Sequence, residues 1–85
     1  MNTRRRKQRE PTPEGEVIRE DLLRGICQFR DEHGYPPTIR ELVKITGLSS
    51  TSIVTYHLRF MEKQGVIERK KGVSRGIKVL VDVLY

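Results

Sequence analysis

Eighty-five residues, 35% hydrophobic and 33% charged, provide one small folded unit and no second. A chain this short buries only about 60 to 65% of the surface it exposes unfolded, so a pocket deep enough to enclose a substrate would take residues from the core; an enzyme is not expected. Seventeen Lys and Arg against eleven Asp and Glu leave +6, a charge suited to polyanions: DNA, RNA or an acidic membrane surface. One cysteine, Cys27, and two well separated histidines, His33 and His57, supply neither an intramolecular disulfide nor a structural zinc site. No metal or other cofactor is expected. No apolar run approaches the roughly 18 residues of a membrane span, and the Arg-rich start leads into no apolar stretch, so the expected location is the cytoplasm.

Residues 1–11 carry Arg4, Arg5, Arg6, Lys7 and Arg9 against Glu10 alone. With no large apolar group beyond Met1, this segment cannot offset its ordering entropy by burial, and it reads as a disordered basic arm. Such an arm either attracts phosphates without reading sequence or acts as a solubilising tail. The folded domain then covers residues 12–85.

Thr12, Pro13 and Glu14 form a helix start: a hydroxyl cap, a proline whose missing N–H costs nothing there, and an acid at the positive helix end. The first helix should run from about Pro13 to His33 and stop at Gly34. Ile18, Leu22, Gly25, Ile26 and Phe29 fall within roughly 100° of arc, a core-facing stripe in which Gly25 marks a close helix contact. Cys27 lies off that stripe and has no companion that would make it a reactive thiol. Tyr35, Pro36 and Pro37 form a stiff exit that braces the first helix. Thr38 and Glu41, three apart, make a capping box and open a second helix. Leu42 and Ile45 are its inward residues, and Gly47 ends it.

Ser49 or Ser50 caps a third helix that reaches Gln64 before Gly65. Two helices joined by the glycine-led turn Gly47-Leu48-Ser49 make a helix-turn-helix. From residue 66 the period changes to two: residues 66–70 read as one strand, residues 71–74 as a loop tip, and Ile77, Val79, Val81 and Val83 as the inward residues of a returning strand. A hairpin this small must dock on the helices. The fold class is mainly α with a small β-hairpin, a winged helix-turn-helix of three helices and a two-stranded antiparallel wing.

Placed at 100° intervals, the third helix has two unlike faces. Val54, Leu58 and Met61, with His57 beside them, lie on one side; Ser52, Thr55, Tyr56, Arg59 and Lys63 lie on the other, with no acid among them. Short hydroxyls and Tyr56 suit base edges, and Arg59 and Lys63 suit phosphates. A polar helix face is by default merely solvated, but here a tight turn precedes it and a basic hairpin follows. Arg69, Lys70, Lys71 and Arg75 surround Gly72 and Ser74 at the hairpin tip, a loop fit for phosphates or a minor groove, or else a charged edge that discourages sheet aggregation. Thr38 and Thr51, at helix starts, join Arg59, Lys63, Lys70, Lys71, Ser74 and Arg75 in the backbone-contacting set. His57 is assigned to packing, and the serines from Ser49 to Ser52 to caps and contacts, because no base accompanies any of them.

Residues 34–42 (GYPPTIREL), 47–50 (GLSS), His57-Leu58, 63–68 (KQGVIE) and 74–77 (SRGI) stand in an order and spacing that resembles the DNA-binding domain of the LexA family, the bacterial SOS repressors. The resemblance covers roughly Thr12 to Leu80. It implies operator reading by the third helix, with base-contacting positions at Ser50, Ser52, Ile53, Thr55 and Tyr56 and wing contacts at Ser74 and Arg75. Ile53, Thr55 and Tyr56 depart from the residues usual there, so the docking mode carries over and the operator sequence does not. Val43 stands where a helix-turn-helix usually has a small residue. LexA proteins continue into a peptidase domain with a serine–lysine dyad that also supplies the dimer. The expectation here is a stand-alone or truncated module without self-cleavage, a monomer in solution that meets double-stranded DNA as a single copy or as a pair on a palindrome. The alternative is a winged helix used as a protein-protein or nonspecific nucleic-acid-binding module.

Overall fold

The computed structural model describes residues 13–81. Their order is α1 (Pro13–His33), α2 (Ile39–Thr46), α3 (Thr51–Lys63), β1 (Ile67–Arg69) and β2 (Ile77–Val79), with the strands antiparallel. This is the winged helix-turn-helix that the sequence predicts. The expected arm, the Thr12 cap and Val83 lie outside the described residues.

α1 carries Glu14 and Glu16 in its first turn and Arg30 and His33 in its last, charges that complement the helix dipole at both ends. Leu22 and Ile26 are fully buried, and Ile18 packs beside them. Cys27, off that stripe by helical periodicity, stands outside the main core cluster and is nonetheless only 2% exposed. α1 packs against α2, α3 and β2 together, so more than one stripe of its surface is covered. Burial raises the Cys27 thiol pKa, partly offset by Arg30.

The start of α2 is held by a reciprocal pair: the Glu41 amide donates to Thr38 Oγ1 at 3.1 Å, and the Thr38 amide to Glu41 Oε1 at 2.9 Å. The helix ends at Gly47, whose φ of 74° is a left-handed turn that a side chain would strain. Its inward line runs through Leu42, fully buried, with Ile39 and Val43 packed partly beside it. Ile45, predicted to face inward, is 45% exposed. In a helix this short the 39–42–43 line takes the core side, and Ile45 is left at the rim of the α1–α2 crossing. A methyl added at Gly25 would lie 3.1 Å from Ile45 Cγ2 and 3.8 Å from Leu42 Cδ2, so the glycine does mark a close crossing.

Ser50 caps α3, its side chain accepting from the Ile53 amide at 3.3 Å. Val54, Leu58 and Met61 face inward and join Leu22, Ile26, Leu42, Ile67 and Ile77 in one core. Each such side chain contributes on the order of 1.5–3 kcal/mol when fully buried. The wing docks through Ile67 and Ile77, while Glu68 and Lys78, paired across the ladder, point out. Both strands are shorter than predicted. The Gly65 and Val66 amides are still tied to the end of α3 through the Glu62 and Met61 carbonyls, so regular pairing starts only at Ile67; the Val66 carbonyl alone continues the ladder, accepting from the Leu80 amide, and Val81 stands exposed.

Candidate nucleic-acid interface

The outward face of α3 forms the centre of the site. Ser52, Arg59 and Lys63 are exposed, Tyr56 is 56% exposed and Ile53 36%, whereas Thr55 is half-buried. Thr51 is exposed at the start of the helix; Ser50, half-buried, has its hydroxyl oxygen engaged in the cap. No acid sits in the first turn of α3, so the positive helix end is left for an outside anion.

Behind this face lies a buried pair. Arg19 is only 9% exposed; its Nη1 donates to His57 Nδ1 at 3.2 Å, and its guanidinium lies 4.0 Å over the Phe60 ring. A guanidinium can only donate, so Nδ1 accepts and the imidazole is the neutral tautomer protonated at Nε2. Burial first, and the Arg19 charge second, push the His57 pKa below its usual 6.5. The Tyr56 ring stands edge-on to His57 at 5.0 Å, so the pair supports Tyr56 from beneath. Sequence reading gave His57 a packing role and missed Arg19, although Arg19, Leu22 and Ile26 share one helical line.

Beside α3 an open groove of about 720 Å³ runs between two walls. One wall is the start of α2, with Thr38 and Arg40; the other is the wing, with Lys70, Lys71 and Ser74; Arg59 and Glu62 of α3 and Arg69 of β1 also line it, Glu62 being its one acid. Arg69 lies 3.8 Å from Glu62, a weak pair, and no carboxylate pairs with Arg40, Arg59, Lys70 or Lys71 among the described residues. Thr38 and Ser74 are brought to the same groove, although the Thr38 hydroxyl oxygen already accepts from Glu41.

Arg75, predicted to touch the DNA backbone, is partly exposed, but its guanidinium is engaged by the protein itself. Nη1 donates to Glu41 Oε1 at 2.8 Å and to the Pro36 carbonyl at 3.0 Å, Nη2 donates to Glu41 Oε2 at 3.0 Å, and the group lies 4.5 Å over the Tyr35 ring. Phe29, stacked on His33 at 4.0 Å, extends the cluster from α1. The Arg75 hydrogen bonds, and next the Thr38 amide, hold the Glu41 carboxyl at about 2. Arg75 is pushed up in turn by the Glu41 bond. Glu41 was legible as a cap; its second role was not.

Among the described residues no group of three or more His, Cys, Asp and Glu could hold a metal, and no helix is long and apolar enough to cross a membrane. A family model for the LexA DNA binding domain matches residues 19–76. The chain is 52% identical over 59 residues to a LexA repressor of Roseiflexus sp. (strain RS-1), a match covering 69% of this chain and 27% of that protein. It is 49% identical over 49 residues to a LexA repressor of Clostridium botulinum (58% and 24% covered), and 42% identical over 66 residues to one of Caldicellulosiruptor saccharolyticus (78% and 33% covered). These matches span about a quarter to a third of the relatives' lengths.

Proposed function

The chain belongs to the LexA DNA-binding-domain family, matched over residues 19–76, and from that membership we propose that it is a sequence-specific regulator of transcription, a repressor that occludes a promoter by binding double-stranded DNA. The observation that carries this reading is the outer face of α3, with no acid in its first turn, continuing into a groove bounded by the wing and lined by five cations against Glu62 alone. A helix with its side chains is about 10–12 Å across, and the major groove of B-DNA about 12 Å wide, so α3 would enter it lengthwise.

Ser52, Ile53 and Tyr56 would then meet base edges, Tyr56 by its hydroxyl or by ring contact with a thymine methyl. Half-buried Thr55 would reach only a base that approaches closely, and Ser50, while capping α3, would present its backbone side. Thr38, Thr51, Arg40, Arg59 and Lys63 would flank the strand's phosphates, with Lys70, Lys71 and Ser74 of the wing meeting the backbone or minor groove beyond. Binding would need no cofactor and no catalysis. A single domain would bind weakly, and two copies on a palindrome would gain by effective concentration.

Selection of binding sites from a random duplex pool at about physiological salt tests this. An enriched motif, above all one with two half-sites, supports the reading. Salt-sensitive binding without enrichment would replace it with a nonspecific nucleic-acid module, and no DNA binding with a protein-binding winged helix.

A further inference from the structure

We propose that Arg75 is a positioning residue and not a phosphate ligand: clamped by Glu41, the Pro36 carbonyl and the Tyr35 ring, it fixes the distance between the wing and the start of α2, and so the width of the groove that would receive the DNA backbone. The proposal rests on the DNA-binding reading above.

The clamp joins the two walls of one groove. Glu41 belongs to α2, where the carboxylate that grips Arg75 also accepts from the Thr38 amide. Thr38 and Arg40 line one wall; Lys70, Lys71 and Ser74, next to Arg75 in the chain, line the other. On the wing side the position of Arg75 passes directly to the tip. The Lys70 amide donates to the Gly76 carbonyl at 3.0 Å and the Gly76 amide to the Val73 carbonyl at 3.2 Å, closing the tip as a tight turn. Gly76 is so close that an added Cβ would lie 3.0 Å from Lys70 Cβ and from the Lys70 carbonyl oxygen, and 3.1 Å from that of Val73. The tip therefore follows Arg75 as a unit.

The alternative, direct phosphate contact, requires the guanidinium to leave a two-pronged carboxylate bond, a carbonyl and an aromatic face. Nothing in the tip itself replaces these ties, because residues 70–74 are exposed and the wing's apolar anchors are Ile67 and Ile77, in the strands. Two-pronged arginine–carboxylate pairing is directional, which is what a spacer requires and a single lysine would not supply.

The two roles give opposite signs in one variant. Glu41→Gln keeps an oxygen for the Thr38 amide, since glutamine also serves in a capping box, but it removes the charge and one of the two acceptors. If the clamp positions the wing, Glu41→Gln weakens operator binding about five- to tenfold even though it deletes a negative charge near DNA, and Arg75→Ala weakens it similarly. The double variant is then no worse than either single one, and the slope of log K against log salt stays unchanged in all three. If Arg75 binds phosphate, Glu41→Gln frees it and tightens binding, and Arg75→Ala lowers the slope by about 0.9; either result overturns the proposal. Heteronuclear NOEs of the Lys70–Gly76 amides in the free protein provide a test without DNA. They should fall in Glu41→Gln while those of α1 and α3 hold, and an unchanged wing overturns the clamp. Wild-type protein that binds no duplex at all would refute the DNA reading instead, and the NOE result would still decide the clamp. Should Arg75→Ala not fold, Arg75→Lys takes its place beside Glu41→Gln: lysine keeps the charge but not the two-pronged bond, so binding should still fall severalfold, and wild-type affinity in Arg75→Lys would overturn the proposal.

Discussion

The wing lysines allow the most direct numerical test of how this domain would hold DNA. Five cations stand at or beside the groove without a carboxylate partner among the described residues: Arg40, Arg59, Lys63, Lys70 and Lys71. Arg69 and Arg75 are set aside because each already has a carboxylate partner, Glu62 at 3.8 Å and Glu41 at 2.8 Å. Each phosphate neutralised contributes about −0.9 to the slope of log K against log salt, so five give about −4.5, and affinity falls roughly 500-fold between 50 and 200 mM salt. In Lys70→Ala/Lys71→Ala the slope becomes about −2.7 and the same salt change costs only about 40-fold. Any contribution of residues 1–11 is common to both proteins and cancels in the difference of about 1.8. Both lysines are exposed, so the melting temperature should stay within a degree or two. Fluorescence anisotropy on a labelled duplex at four salt concentrations measures the two slopes. Equal slopes would mean that the wing does not lie on phosphates, and the proposed docking would have to be abandoned.

Ser52→Ala and Tyr56→Ala should each flatten the selected motif at one base pair, a loss of about 1–3 kcal/mol of discrimination; an unchanged motif in Tyr56→Ala would move the reading face elsewhere. Gly25→Ala should be neutral to stabilising by up to about 1 kcal/mol in thermal unfolding, because the helix interior gains propensity and the neighbour it crowds, Ile45 Cγ2 at 3.1 Å, belongs to a half-exposed side chain that can shift; a loss above about 1 kcal/mol would show the crossing to be rigid. Gly76→Ala meets backbone oxygens at 3.0 and 3.1 Å, which cannot yield so easily, and should open the wing tip and weaken DNA binding while leaving the helical circular dichroism intact.

The features legible in the sequence are those fixed within a few residues. Thr38 with Glu41, Gly47 after Thr46, and Ser50 ahead of α3 set helix ends through bonds no more than four residues long, and the change of period after Gly65 marks the wing. What stayed hidden depends on distant neighbours. Ile45 is exposed where an inward position was expected, and Cys27 is buried although it lies off the main stripe, because burial is decided by which other elements cover a helix as well as by its own periodicity. The three arginines removed from the solvated set are a sharper case. Arg69 finds Glu62 seven positions away, but Arg75 finds Glu41 across 34 positions and Arg19 finds His57 across 38. A sequence shows a guanidinium's charge and not its direction, so all three counted equally toward the +6. The polar outer face of α3 was readable for the converse reason: a helix dictates its own faces.

The two buried or clamped ion sites separate in pH, and that separation makes the support beneath Tyr56 testable on its own. Glu41, held at about 2, keeps the clamp charged throughout the neutral and mildly acidic range, and its share of stability is lost only as pH falls from the ordinary carboxylate range through about 2. His57 behaves differently. Its folded pKa lies below the ordinary 6.5, so the unfolded chain binds the proton more readily; the stability it contributes is complete above 6.5 and is lost as pH falls below that value toward the folded pKa. Protonation would also place a cation 3.2 Å from Arg19 Nη1, with both nitrogens of the ring now donors and none left to accept. His57→Gln retains an acceptor for Arg19 and cannot take the charge. Between pH 7.5 and 5.5 the wild type should therefore lose more thermal stability than His57→Gln, and the Tyr56 ring resonances of the folded protein should shift with a midpoint below 6.5 in the wild type alone. Parallel stability curves for the two proteins would mean that burial beside Arg19 does not hold the imidazole neutral, and that Tyr56 owes its position to the backbone of α3.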